Sequence, residues 1–223
     1  MKSLKTLCIL IIAISCSHTY AAELESDKQK LSYSMGVFFG QTVTRQKMDL
    51  DVPAFMQAVE DMLKGAETKI PMSEMQQILA DYQKKEQEQR TAQANTNKSD
   101  GMKYLEENKK KEGVKTLEGG LQYKVIKMGD GKKPVSNSTI VVHYRGTLID
   151  GTEFDSSYSR GEPATLGLGR VIRGWQIALQ EMPVGSKWQI VVPPDLGYGE
   201  QGAGGIIGPN ATLLFDIELL EIK

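Results

Sequence analysis

Ile140-Val141-Val142-His143-Tyr144-Arg145-Gly146-Thr147-Leu148-Ile149-Asp150-Gly151-Thr152-Glu153-Phe154-Asp155-Ser156-Ser157 is the stretch that decides the fold of this 223-residue chain. Ile140, Val142, Tyr144 and Leu148 fall on one face of an extended segment, since side chains alternate sides along a strand. Asp150-Gly151 then supplies a tight turn into the next extended segment. The same period recurs on both sides of this stretch. Leu121, Tyr123 and Val125 alternate with Gln122 and Lys124, Trp188, Ile190 and Val192 share a face, and so do Leu213, Phe215, Ile217 and Leu219. One clear helical interruption occurs: Trp175, Ala178, Leu179 and Met182 stand at i, i+3, i+4 and i+7, with Pro183 and Gly185 to end the helix. A single helix against half-buried antiparallel strands predicts an α+β layer packing in which the helix covers the one apolar face of the sheet.

Upstream the period is helical. Leu31, Met35, Phe38, Phe39 and Val43 predict one amphipathic helix, and Phe55, Val59, Met62 and Leu63 a second, opened by Asp51 and Pro53 and stopped by Gly65. A third is expected to start near Ser73, where Ser73-Glu74-Met75-Gln76 has the form of a capping box, and to carry Met75, Leu79 and Tyr82. From Lys84 to Lys111 almost every residue is polar, which reads as a solvated helix or a disordered linker. Asn95-Thr96-Asn97-Lys98-Ser99-Asp100-Gly101 argues against an unbroken helix. If helical, that stretch spans about 40 Å. The organisation expected is thus a leader over 1–21, an all-α segment over 22–83, a polar connector over 84–112 and the α+β domain over 113–223. Three short helices bury little surface within one chain, so a second copy is the expected cover, giving a homodimer through the N-terminal helices. Gly36 and Gly40, four residues apart beside Phe38 and Phe39, would let two backbones approach closely. Six of the ten methionines lie between Met35 and Met75, where they suit core filling or a tolerant binding surface.

Lys2 and Lys5 ahead of the apolar run Leu7 to Ile14, followed by Ala21-Ala22, have the layout of a secretory signal cleaved after Ala21. In the alternative, Ala13-Ile14-Ser15-Cys16 is a lipoprotein signal that leaves Cys16 acylated. Either way the protein is expected to be exported, to the periplasm or to the outer membrane and cell surface. Cys8 and Cys16 both lie in this leader, so a chain cut after Ala21 carries no thiol and no disulfide. Loss of Lys2 and Lys5 takes the basic residues from 27 to 25, against 28 acidic ones, for a net charge of about −3. That mild acidity argues against nucleic acid as a partner. His143 is then the single histidine, which excludes a multi-histidine metal site.

Five segments in order resemble the FKBP-type peptidyl-prolyl isomerase domain: Val141-Val142-His143-Tyr144, Gly151 to Ser157 with Phe154 and Asp155, Val171-Ile172-Arg173-Gly174-Trp175, Leu196-Gly197-Tyr198-Gly199, and Thr212-Leu213-Leu214-Phe215. The likeness covers about Gly113 to Lys223. Upstream, Lys30-Leu31-Ser32-Tyr33-Ser34-Met35-Gly36 with a long polar helix after it resembles the exported two-domain branch of that family, typified by the macrophage infectivity potentiator of Gram-negative bacteria. For the residues alone, Tyr144, Ile190, Phe215 and Trp175 read as plain core sooner than as a pocket, and Asp155 as a turn or helix-cap aspartate. The resemblance implies instead a proline pocket with Trp175 as floor and Tyr144, Phe154, Val171, Ile172 and Phe215 as walls. It places Tyr198 and Ile207 on the rim loop, and makes Asp155 the polar member.

The implied chemistry is cis/trans isomerisation of X-Pro bonds in proline-containing unfolded or flexible proteins, with no metal, nucleotide or other cofactor. Asp155, Tyr198, Ile172, Phe215 and Trp175 would carry catalysis, and Tyr144, Phe154, Val171 and Ile207 would hold the substrate. Rapamycin-like macrolides are implied as ligands of the same pocket, although Ala164 and Ala203 stand where bulkier residues are found in drug-binding members. The competing function is a binding module, either a holdase chaperone or a surface virulence or adhesion factor, in which the pocket grips proline segments and turnover is incidental.

Overall fold

A computed structural model describes residues 24–45 and 48–223; the expected leader, both cysteines and both processing sites lie outside the described residues. The chain divides between Thr44 and Arg45 into two compact units. The first is built on α1 (Asp27–Arg45), which holds the predicted apolar stripe but buries none of it: Leu31 is 63% exposed and Phe38 69%.

The second unit opens with α2 (Val52–Leu63). Its start and stop are those read from the sequence, with the Asp51 carboxylate accepting from Ala54 N–H at 2.9 Å and Gly65 taking a positive φ of 68° just past the end. It too buries no residue. The third helix, α3 (Met72–Asn108), starts differently from expectation and then continues as the long connecting helix that the family resemblance implies. It begins one residue after Pro71, whose backbone (φ −61°, ψ 149°) is already extended, so Ser73 lies inside the first turn and no capping box forms. It also runs unbroken through Asn95 to Gly101, across the expected boundary at 83/84.

Polar side chains and a glycine along that helix hold it to the sheet domain. Arg90 Nη2 donates to the Glu200 and Gln201 carbonyls, both at 3.0 Å, and Asn97 Nδ2 to the Pro209 carbonyl at 2.7 Å. Asn108 Nδ2 donates to Gln122 Oε1, whose Nε2 donates to the Leu105 carbonyl, each at 2.9 Å. Gly101 is buried, and a Cβ there would stand 2.3 Å from Thr212 Oγ1. Arg90, Asn97, Gly101, Leu105 and Asn108 recur at three- and four-residue steps with one seven-residue step, on one face of the helix. From Arg90 onward the connector is therefore docked along its own domain, which corrects the reading of a solvated 40 Å spacer.

The sheet strands are β1 (Val114–Thr116), β2 (Gln122–Lys127), β3 (Thr139–Leu148), β4 (Glu153–Ser156), β5 (Ala164–Gly167), β6 (Lys187–Val192) and β7 (Leu213–Ile222). All pair antiparallel in the order β1-β2-β6-β7-β3-β4, with β5 also on β3. The helix read from the sequence is α4 (Arg173–Glu181), and Pro183 follows its end. Trp175, Ala178, Leu179 and Met182 from its face join Ile140, Val142, Tyr144, Trp188, Ile190, Val192, Leu213, Phe215, Ile217 and Leu219 in one core cluster. The protein is thus a helical N-terminal part followed by an antiparallel sheet over one short helix. Two details depart from the period-two reading. Gln122, expected on an open polar face, is 4% exposed because the end of α3 covers it and satisfies its amide. Asp155 belongs to strand β4 opposite Gly146, so it is neither a turn nor a cap residue.

Candidate functional site

A cavity of about 450 Å³ opens where the sheet, the start of α4 and the 198–207 loop meet. Tyr144 comes from β3, Phe154 and Asp155 from β4, and Phe215 from β7. Val171 and Ile172 lead into α4, Trp175 sits in its first turn, and Tyr198 and Ile207 come from the loop. The structure brings all nine expected site residues onto this one cavity. It adds Leu166, Arg170, Ala203, Gly204 and Ile206 to the lining. Ala164 is absent from it, and Leu166, two residues further along β5 and on the same side of the strand, takes that wall.

Four rings make the floor and one wall. Trp175 meets Tyr144 edge to face at 5.1 Å between centroids and meets Phe215 likewise at 5.3 Å, while Phe154 meets Phe215 at 5.5 Å, all near perpendicular. This geometry suits the quadrupoles of aromatic rings and packs four apolar rings against one another along the cavity. It depends on Gly146, which lies between Phe215 and Asp155 in the sheet register. A Cβ there would fall 2.6 Å from Phe154 Cε2 and 2.9 Å from Phe215 Cε1, so any side chain would force the two rings apart. Trp175 is 4% exposed and Tyr198, on the rim, 40%.

The polar side of the cavity is a closed hydrogen-bond set. The Tyr144 hydroxyl donates to Asp155 Oδ2, Arg160 Nη1 donates to Asp155 Oδ1, and Arg160 Nη2 donates to the Tyr144 oxygen at 2.9 Å. The Tyr144 backbone is fixed in turn by Ser157, fully buried, whose Oγ accepts from Tyr144 N–H at 2.8 Å. Burial opposes ionisation of Asp155, but the hydrogen bonds from Tyr144 and Arg160 outweigh it and hold its carboxyl below the usual carboxylate range. Burial, then the bond to Asp155, raises the Tyr144 hydroxyl, and burial followed by the nearby Asp155 charge raises that of Tyr198. The site therefore presents a carboxylate already paired, two neutral phenols and an apolar floor. It holds no free nucleophile or base poised for covalent chemistry.

At α4, Ile172 is the N-cap and its carbonyl accepts from Trp175 and Gln176 N–H at 3.0 and 3.2 Å. Its own N–H precedes the helix and takes no part in the helical ladder. Gln176 Nε2 donates to the Val171 carbonyl at 2.8 Å and fixes this rim. Sequence reasoning missed Arg160, Leu166, Arg170, Gly204 and Ile206. A signal was present for Arg160, a cation five residues after Asp155 beyond a short strand, but nothing local to Arg170 or Ile206 marks the cavity.

Two family descriptions match this chain: "FKBP-type peptidyl-prolyl cis-trans isomerase" over residues 130–220, and "Domain amino terminal to FKBP-type peptidyl-prolyl isomerase" over residues 28–125. Peptidyl-prolyl cis-trans isomerase Mip of Coxiella burnetii is 46% identical over 207 residues, covering 91% of this chain and 90% of that protein. Outer membrane protein MIP of Legionella longbeachae is 42% identical over 218 residues, 96% of this chain and 94% of that one. The crystal structure of FkpA from Escherichia coli superposes with a TM-score of 0.63 at 37% identity, covering 90% of this chain and 98% of that one.

Proposed function

The chain belongs to the FKBP-type peptidyl-prolyl cis-trans isomerases, and from that premise we propose that the cavity between β3, β4, β7 and α4 is where it turns X-Pro bonds. The observation that carries this reading is the convergence of Tyr144, Phe154, Asp155, Val171, Ile172, Trp175, Tyr198, Ile207 and Phe215 on one apolar cavity. Rotation about an X-Pro amide has a barrier of about 18–20 kcal/mol because resonance must be broken. The twisted amide carries less charge separation than either planar form, so a water-poor pocket of ring faces favours it over the ground states. In this mechanism the proline ring rests on Trp175 between Phe154, Val171 and Phe215. Ile172 N–H and the Tyr198 hydroxyl donate to substrate carbonyls. Asp155, kept ionised by Tyr144 and Arg160, lies beside the rotating carbonyl and biases it electrostatically. The nine residues supply this by shape and field.

The test is kcat/KM for a proline tetrapeptide in Phe215→Ala and Asp155→Ala, each expected to lose about tenfold, or 1.4 kcal/mol of transition-state binding, with normal circular dichroism. Unchanged rates in both folded variants would falsify the assignment. The same cavity is the proposed seat of a rapamycin-like macrolide, with Leu166 in place of the wall that Ala164 lacks.

We further propose that the N-terminal helices dimerise the protein and that it works outside the cytoplasm on exported, proline-containing chains. Support for the first comes from the exposed apolar stripes of α1 and α2 and from the match of residues 28–125 to the domain that precedes such isomerases. Support for export comes from the residues ahead of Ala22 and from a relative named an outer membrane protein. No described helix is long and apolar enough to cross a membrane. Intact-mass measurement on envelope protein distinguishes a chain that begins at Ala22 from one acylated on Cys16.

A further inference from the structure

Asp155 and Arg170 are the two charged side chains on the cavity lining, and they are not in the same condition. Asp155 is bonded by Tyr144 and Arg160. The other three arginines of the sheet domain each face a carboxylate: Arg145 with Glu153 at 2.7 Å, Arg160 with Asp155 at 2.5 Å and Arg173 with Glu118 at 3.9 Å. Arg170 is exposed and forms no ion pair or side-chain hydrogen bond with any described residue. Its backbone is nevertheless fixed. It closes the short 3-10 turn Leu168–Arg170 behind the fully buried Leu168, and the next residue, Val171, is extended and held through its carbonyl by Gln176. An unpaired guanidinium on a rigid stem therefore stands on the rim, two residues before Ile172. With Asp155 paired to Arg160, Arg170 is the uncompensated charge on the cavity lining.

We propose that Arg170 is a specificity-determining residue that selects substrates with an acidic side chain directly beside the proline. The inference rests on the isomerase reading of the cavity and names the substrate class within it. Two extended residues cover about 6–7 Å, so a chain bound through Ile172 N–H passes within reach of the Arg170 guanidinium one residue from the proline. A guanidinium meets a carboxylate bidentately and repels an ammonium. The pair is exposed to solvent and its gain is modest, about two- to fivefold over a neutral residue. It weakens with salt.

The experiment measures kcat/KM for the full chain on matched tetrapeptides that carry Glu, Gln or Lys immediately before the proline, and on a second set with those residues immediately after it. Wild type is expected to rank Glu above Gln above Lys in one of the two sets at low salt. The Glu-to-Lys ratio should fall toward one at 1 M salt, should collapse in Arg170→Ala and should invert in Arg170→Glu. A flat ranking in both sets, or the same ranking in Arg170→Glu as in wild type, overturns the role of Arg170 while the turnover itself upholds the isomerase site. No turnover of any peptide by the folded wild-type protein overturns both.

Discussion

The sheet domain and the N-terminal helices carry apolar residues at equally regular spacing, yet they end in opposite states. In the sheet, Ile140, Val142, Ile217 and Leu219 are fully buried under α4. On α1 and α2, Leu31, Met35, Phe38, Met62 and Leu63 remain more than half exposed. Periodicity specifies which face an element offers and says nothing about what covers it. The sheet domain contains its own cover, because one chain segment supplies both the apolar face and the helix that packs on it. An apolar stripe left open on a helix marks where another surface is needed.

The largest effect should come from the covered side. Ile217→Ala removes a fully buried side chain from the centre of β7 and is expected to cost about 2–5 kcal/mol in guanidinium unfolding. Phe38→Ala, on an exposed position of α1, should change the unfolding of the sheet domain by less than about 0.5 kcal/mol. If α1 dimerises the protein, the same variant should move sedimentation toward the monomer. A large unfolding cost from Phe38→Ala with unchanged sedimentation would show that α1 is already covered within its own chain.

A smaller effect, decisive by its sign, separates a docked α3 from a free one. In a solvated helix Gly101→Ala stabilises by about 1 kcal/mol through propensity. In the docked helix the added Cβ meets Thr212 Oγ1 at 2.3 Å, so the same substitution should destabilise by about 1–3 kcal/mol. Thermal unfolding of the two proteins reads the sign directly.

Within the site the expected change is one of pH dependence. Asp155 titrates below its usual range in the folded protein, so the stabilisation from its pairing is present above the ordinary carboxylate value of about 4 and is lost as pH falls through the lowered one. The rate on a proline peptide should therefore be flat from pH 8 to pH 5 and decline only below about 4. A midpoint near 6 would assign the carboxylate a different environment. The smallest effect belongs to the neighbouring pair on the same sheet edge. Arg145 and Glu153 are exposed and away from the cavity, so Arg145→Ala should shift stability by less than about 1 kcal/mol and leave the rate unchanged.

Much of the fold was legible because burial writes itself into spacing. The strand faces, the short α4 with its Pro183 stop, and the Asp51 to Gly65 limits of α2 all follow from local rules that the structure obeys. The seam of α3 was not legible because its contacts are polar or absent. Arg90, Asn97 and Asn108 read as solvated residues and Gly101 as a break, and only the surface opposite turns them into hydrogen bonds and a close approach. At the site, the aromatic residues are individually indistinguishable from core. The likeness to a family picked out nine positions, whereas Leu166, Arg170, Gly204 and Ile206 on the lining, and Arg160 that bonds Asp155 from behind it, escaped because they come from turns, a short strand and a loop that carry no periodic signal.

By itself the amino-acid order determined which residues lie on each face of each strand and helix, since that depends only on local backbone geometry. Tertiary structure alone decided that Gly146 brings Phe154 and Phe215 together and that Asp155 is spoken for by Arg160 while Arg170 is not. It also decided that a polar helix lies along the domain that follows it in the chain. Those outcomes depend on distances between residues remote in sequence, and such distances exist only once the chain has closed on itself.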